Sequence, residues 1–77
     1  MDRELDDRQI KLLTVFRRAI RTEQEAQEVY TGAAAICGDP EIKALLESFA
    51  REEAHHEQEL LKLYQRLRTR GSFQDAA

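Results

Sequence analysis

Apolar residues recur along the chain at alternating spacings of four and three, the signature of helices that pack side by side. One stripe reads Leu12, Phe16, Ala19, Glu23, Ala26, Tyr30 and Ala33. A second reads Ile42, Leu46, Phe49, Glu53, His56, Leu60, Leu63 and Leu67. Leu13, Ile20, Leu45 and Leu61 flank these stripes and widen each toward a bundle face. The pattern breaks in one place, at Cys37-Gly38-Asp39-Pro40. Gly38 can supply the left-handed residue that ends a helix. Asp39 is a good N-cap, and Pro40 suits the first helical position. Glu41 follows in the first turn, where the helix dipole favours a negative charge. The pattern therefore predicts helix one over about residues 6–36 and helix two over about 40–69, with a C-terminal tail over 70–77. Gly71 is a natural stop, and Arg66, Arg68 and Arg70 lie at the end of helix two that favours cations. So short a connection makes the helices antiparallel neighbours.

A lone hairpin gives each wide stripe one partner helix and leaves much of both in water. A dimer of hairpins, a four-helix bundle, covers them. Length points the same way. The 77 residues make one domain, and below ~80 residues a single core rarely suffices without a metal, a disulfide or a partner chain. The single cysteine, Cys37, excludes an internal disulfide and makes a reducing cytoplasm the default location. It reads as a small residue of the capping region. No apolar run is long enough to span a membrane. The acidic start MDRELDD leads into no apolar segment, unlike a signal peptide. With 12 Lys+Arg against 15 Asp+Glu, the net charge of −3 argues against a nucleic-acid binder. Arg17, Arg18 and Arg21 form a local basic patch, expected to be a solvated face pairing with Asp or Glu.

Three ionisable residues interrupt the apolar stripes: Glu23, Glu53 and His56. Burying a lone carboxylate costs several kcal/mol, so each needs a partner or a metal. Counted from the loop centre near residues 38–39, Glu23 lies about 15 residues back, Glu53 about 15 forward and His56 about 17 forward. An antiparallel hairpin brings all three to one height, near mid-bundle. Glu53 and His56, three apart, share a face. A plain Glu–His ion pair with a second Glu sharing the proton would also satisfy them. Two-fold pairing, however, doubles the set to four carboxylates and two imidazoles, the donor set of di-iron carboxylate sites in helical bundles. A second Glu-x-x-His pair, Glu52 and His55, shares its stripe with Ser48, Glu59, Lys62 and Arg66, so it faces solvent. Glu25, Glu28, Glu57 and Glu59 are expected on solvated faces as well. Tyr30, two turns after Glu23, leans toward it or serves as an ordinary core tyrosine.

Glu23-x-x-Ala26-x-x-x-Tyr30, Asp39-Pro40-Glu41-Ile42 and Phe49-x-x-x-Glu53-x-x-His56 together resemble half of a rubrerythrin or ferritin-like domain. The resemblance covers about residues 10–67 and is nearest to the half-size encapsulated-ferritin type. It implies an all-α fold, an antiparallel two-helix hairpin that dimerises into a ferritin-like four-helix bundle. It implies Glu23, Glu53 and His56 as iron ligands and catalytic residues, with Tyr30 beside the carboxylates. It implies two iron ions per dimer, while Mn and Zn also tolerate these ligands. The partner is then a second copy, in a homodimer or a higher even-numbered homo-oligomer. The resemblance also brings an encapsulin shell into view, although Gly71–Ala77 is unlike the apolar tail peptide that directs cargo there. The paired Cys-x-x-Cys motifs of a rubredoxin domain are missing. The expected function is a ferroxidase that oxidises Fe²⁺ in iron storage or detoxification. The alternatives are a rubrerythrin-like peroxide reductase and a metal-free helical-hairpin adaptor.

Overall fold

The computed structural model describes residues 7–70. Two α-helices, α1 (Asp7–Ile36) and α2 (Pro40–Arg70), pack against each other as a hairpin. The expected start at Asp6, the stop at Gly71 and the tail beyond it lie outside the described residues. None of the described helices is long and apolar enough to cross a membrane.

Both helices are built from strong helix formers, with Asp7 and Glu41 in their first turns. Three threonines inside them are satisfied locally: Thr14, Thr22 and Thr69 donate to the carbonyls of Ile10, Arg18 and Gln65, four residues back, at 3.0, 3.0 and 2.6 Å. The reversal takes only residues 37–39. At its start the Cys37 amide donates to the Ala34 carbonyl at 3.3 Å. At its end Asp39 caps α2: its Oδ1 accepts from the amides of Glu41 at 2.9 Å and Ile42 at 3.2 Å. Its carbonyl accepts the first intrahelical bond, from the Lys43 amide at 2.9 Å. The expected left-handed glycine is corrected here. Gly38 has no left-handed φ, and a Cβ built on it would meet nothing within 4 Å. The cap on the following helix, rather than a glycine closing the preceding one, defines this turn.

The expected stripe of α1 lies in the seam, its seven residues all half-buried, whereas on α2 the seam lies to one side of the expected stripe. Ile20, Ala34 and Leu67 are the buried apolar residues, with Gln9 buried at the open end opposite Leu67. Around them Leu13, Phe16, Glu23, Gln27 and Tyr30 of α1 are half-buried against Leu46, Ala50, Glu53, Glu57, Leu60 and Tyr64 of α2. Four residues of the α2 stripe stay open: His56 and the apolar Ile42, Phe49 and Leu63, the last three 50%, 40% and 44% exposed. A stripe wider than a coiled-coil seam cannot be covered by one partner helix, and the hairpin covers only its inner edge.

The cap geometry makes a paired prediction. Asp39→Ala should destabilise the fold by about 1 kcal/mol. Gly38→Ala should be neutral or stabilise it by about 0.4–1 kcal/mol through the unfolded chain. Urea denaturation of both variants checks this. An Asp39→Ala midpoint equal to the parent, or a large loss in Gly38→Ala, would contradict the cap-defined turn.

Candidate metal centre

At mid-height on α1, Glu23 points into the seam. Across from it, Glu53 and His56 project from α2 one turn apart. The structure brings all three together, with one ligand-type atom from each within 4.8 Å of the others. His56 Nδ1 stands 3.3 Å from Glu53 Oε1 and 3.7 Å from Glu23 Oε1. With its proton on Nδ1, the ring donates to Glu53. The two carboxylates are mostly sheltered, at 21% and 23% exposure, whereas the imidazole is 56% exposed. The cluster therefore opens toward solvent on the His56 side. Residues 42, 49, 56 and 63 are seven apart, so His56 belongs to the same open row as Ile42, Phe49 and Leu63.

The electrostatics are those of two acids sharing one proton. Hydrogen bonding to Glu53 raises the Glu23 pKa above its ordinary value, helped by desolvation and by the Glu53 charge and opposed by His56. The Glu53 pKa is lowered, first by the hydrogen bond from Glu23 and then by His56. Glu23 is thus the one that takes up a proton first as pH falls, and Glu53 the one that holds its charge longer. Two carboxylates and an imidazole are hard-to-borderline oxygen and nitrogen donors, a set that suits Fe, Mn or Zn. A cation at this position would displace the shared proton.

Other candidate residues fall outside the cluster. His55 is exposed, its ring 6.5 Å from that of His56, and Glu52 is exposed beside it. Tyr30 packs its ring on Phe49, with centroids 5.5 Å apart and planes tilted by 58°. Among the described residues its hydroxyl makes no hydrogen bond. Cys37 lies in the loop, its Sγ 3.5 Å from the Asp39 carbonyl. Arg17, Arg18 and Arg21 line an open groove with Thr14, Thr22 and Glu25. Glu25 shares this groove, but the expected ion pairs do not form to any of the three arginines among the described residues.

Glu57 corrects the sequence reading outright. It is half-buried rather than solvated, and both of its oxygens are held by α1. Gln24 Nε2 donates to Oε2 at 2.8 Å and Gln27 Nε2 to Oε1 at 2.6 Å. These bonds, that from Gln27 first, lower its pKa. The available signal was spacing: Glu57 is one turn beyond Glu53, and Gln27 one turn beyond Glu23.

Fold and cluster define an all-helical hairpin with a carboxylate–histidine group that could hold a metal ion. The chain matches the family model described as Rubrerythrin over residues 5–74. It belongs to that family, whose members are ferritin-like and typically bind iron. Comparison with curated proteins and with solved structures found no match.

The shared proton yields a pH prediction for metal-free protein. A group whose folded pKa is raised contributes stability at low pH and loses it as pH rises through that value. Glu23→Gln fixes a donor where the protonated carboxyl would be. It should therefore raise the melting temperature of metal-free protein at pH 7, with the gain shrinking as pH falls into the glutamate range. Thermal melts across that range decide it; a lower melting temperature than wild type at pH 7 would contradict the assignment.

Proposed function

We propose that two hairpins pair through the open α2 row, forming a four-helix bundle that holds two iron ions between the chains and oxidises Fe²⁺. One observation carries this reading: the Glu23, Glu53 and His56 cluster opens onto a row of exposed apolar residues rather than onto a polar surface. A two-fold interface presents each residue twice at matching positions. It would bring four carboxylates and two imidazoles to one level, the donor set of a two-metal centre in a helical bundle. The hydrophobic gain alone is modest. Fully burying a side chain such as Leu or Phe stabilises by about 1.5–3 kcal/mol. About half of that remains to be gained at each of Ile42, Phe49 and Leu63. Six such side chains in two copies supply roughly 6 kcal/mol, within the range of about 4–15 kcal/mol that association costs. Metal binding then helps decide whether the pair holds.

In this reading Fe²⁺ is the substrate. Oxidation of two Fe²⁺ supplies two electrons which, with two protons, convert O₂ to hydrogen peroxide. Carboxylates favour the more highly charged Fe³⁺, so Glu23 and Glu53 pull the reaction forward. His56 offers each metal one neutral nitrogen. Tyr30 and Phe49 pack on each other on the loop side of the cluster. Iron storage or detoxification is the matching physiological role. The family match favours a second reading on the same ligands. There H₂O₂ takes two electrons and two protons to give two waters, and a separate reductant returns electrons to the iron. Single-turnover oxidation of bound Fe²⁺ by O₂ and by H₂O₂ separates the two.

Glu53→Ala and His56→Ala should abolish iron oxidation, while Glu52→Ala and His55→Ala should leave it intact. Equal losses in both pairs, read by the absorbance of Fe³⁺ formation, would undo the assignment. Anaerobic Fe²⁺ should also raise the melting temperature and shift the mass to a dimer or an even multiple, with two metals per two chains. Metal bound only by the assembled state stabilises it by about 2.7 kcal/mol at a hundredfold excess over Kd. An intact fold with no shift in either measurement would favour the metal-free adaptor.

A further inference from the structure

We propose that Glu57, clamped by Gln24 and Gln27, is a positioning residue that fixes the rotation and spacing of the two helices where Glu23 meets Glu53 and His56. The inference rests on reading those three residues as a metal site.

The placement is systematic. Gln24 and Gln27 follow Glu23 by one and four residues. Glu57 follows His56 by one and Glu53 by four. The clamp thus lies at the height of the cluster and ties the same two helices. Both carboxylate oxygens of Glu57 are engaged from α1, at 2.8 and 2.6 Å, so it is turned away from the three clustered groups.

Within about a turn of the cluster the seam mixes small residues, Ala19, Ala26, Ala50 and Ala54, with the larger Ile20 and Leu60. Apolar contacts of this kind are non-directional and leave small rotations of one helix against the other inexpensive. The paired amides on Glu57 are directional and fix one of those rotations. The loop holds one end of the hairpin, but the cluster is about 15 residues away, roughly 22 Å at 1.5 Å per residue. Polar groups within an apolar seam are the usual means of choosing one register among several. Removing residues that orient metal ligands typically lowers affinity ten- to a hundredfold.

The test uses Co²⁺, whose visible absorption reports coordination geometry, titrated anaerobically into the full chain. Glu57→Ala should keep wild-type helicity and oligomer mass, bind Co²⁺ ten- to a hundredfold more weakly, and show altered visible bands. Glu57→Gln retains one acceptor oxygen and should recover part of the affinity. A purely structural role would move the melting temperature and leave the bands unchanged. Glu57→Ala with wild-type affinity and bands would overturn the proposal. If Glu57→Ala loses helicity, Gln24→Ala and Gln27→Ala decide, since each leaves one bond. Weakened binding in either supports the clamp, and wild-type binding in both overturns it. Failure of the underlying reading looks different: wild-type protein takes up no Co²⁺, or Glu53→Ala binds it as well as wild type. Either result removes both proposals, whereas an idle Glu57 beside a working Glu53 removes only this one.

Discussion

Two carboxylates and an imidazole meet between the helices, and two carboxylates that close favour a proton or a cation between them. Every other feature of the hairpin bears on that arrangement. The heptad repeat turns Glu23 and Glu53 inward with His56 at the open edge, the three-residue reversal sets them at one height, and the Asp39 cap fixes where α2 begins. The result in the free chain is a compromise. The Glu23 pKa is raised and the Glu53 pKa lowered, so Glu23 takes up a proton more readily than a free glutamate while Glu53 holds its charge beside His56. A divalent ion relieves that compromise more fully than a proton, because it satisfies both carboxylates at once. Membership of the rubrerythrin family, with its iron-binding members, accords with this reading of the charges.

Much of this was legible in the sequence because the signals were periodic. The hairpin follows from two heptad stripes and one Asp-Pro break, and the meeting of Glu23, Glu53 and His56 follows from counting residues back to that break. What escaped was whatever depends on the angle of each helix about its own axis. The stripes were wide enough to allow several seams, and the one adopted centres on Ile20, Ala34 and Leu67. That rotation exposes Phe49 and Leu63 and draws Glu57 inward. Glutamate is a surface residue by default, and nothing in its composition marks one that will be held by two glutamines from another helix. Gly38 misled for the opposite reason. Glycine near a helix end usually supplies a left-handed residue, but here the N-cap of α2 made that device unnecessary.

The hairpin is therefore asymmetric across its seam. On one flank the polar groups satisfy each other completely: two amides meet two oxygens of Glu57. On the other flank they do not, and the imidazole is left half in water beside apolar neighbours. A satisfied network adds rigidity, while an unsatisfied one retains capacity to bind. Placing the two on opposite flanks lets one stretch of helix be stiff and receptive at once.

The row Ile42, Phe49, His56 and Leu63 has a consequence for how such a chain can change over time. Its apolar members and its imidazole occupy equivalent turns of one helix, so the surface proposed to pair and the imidazole proposed to take a metal lie on one face. Phe49 and Leu63 lie about two turns either side of His56, whereas Ile42 lies about four turns away. Under the proposed pairing, a hydrophilic change at Phe49 or Leu63 would weaken the contact and wet the imidazole together, while one at Ile42 would act on the contact alone.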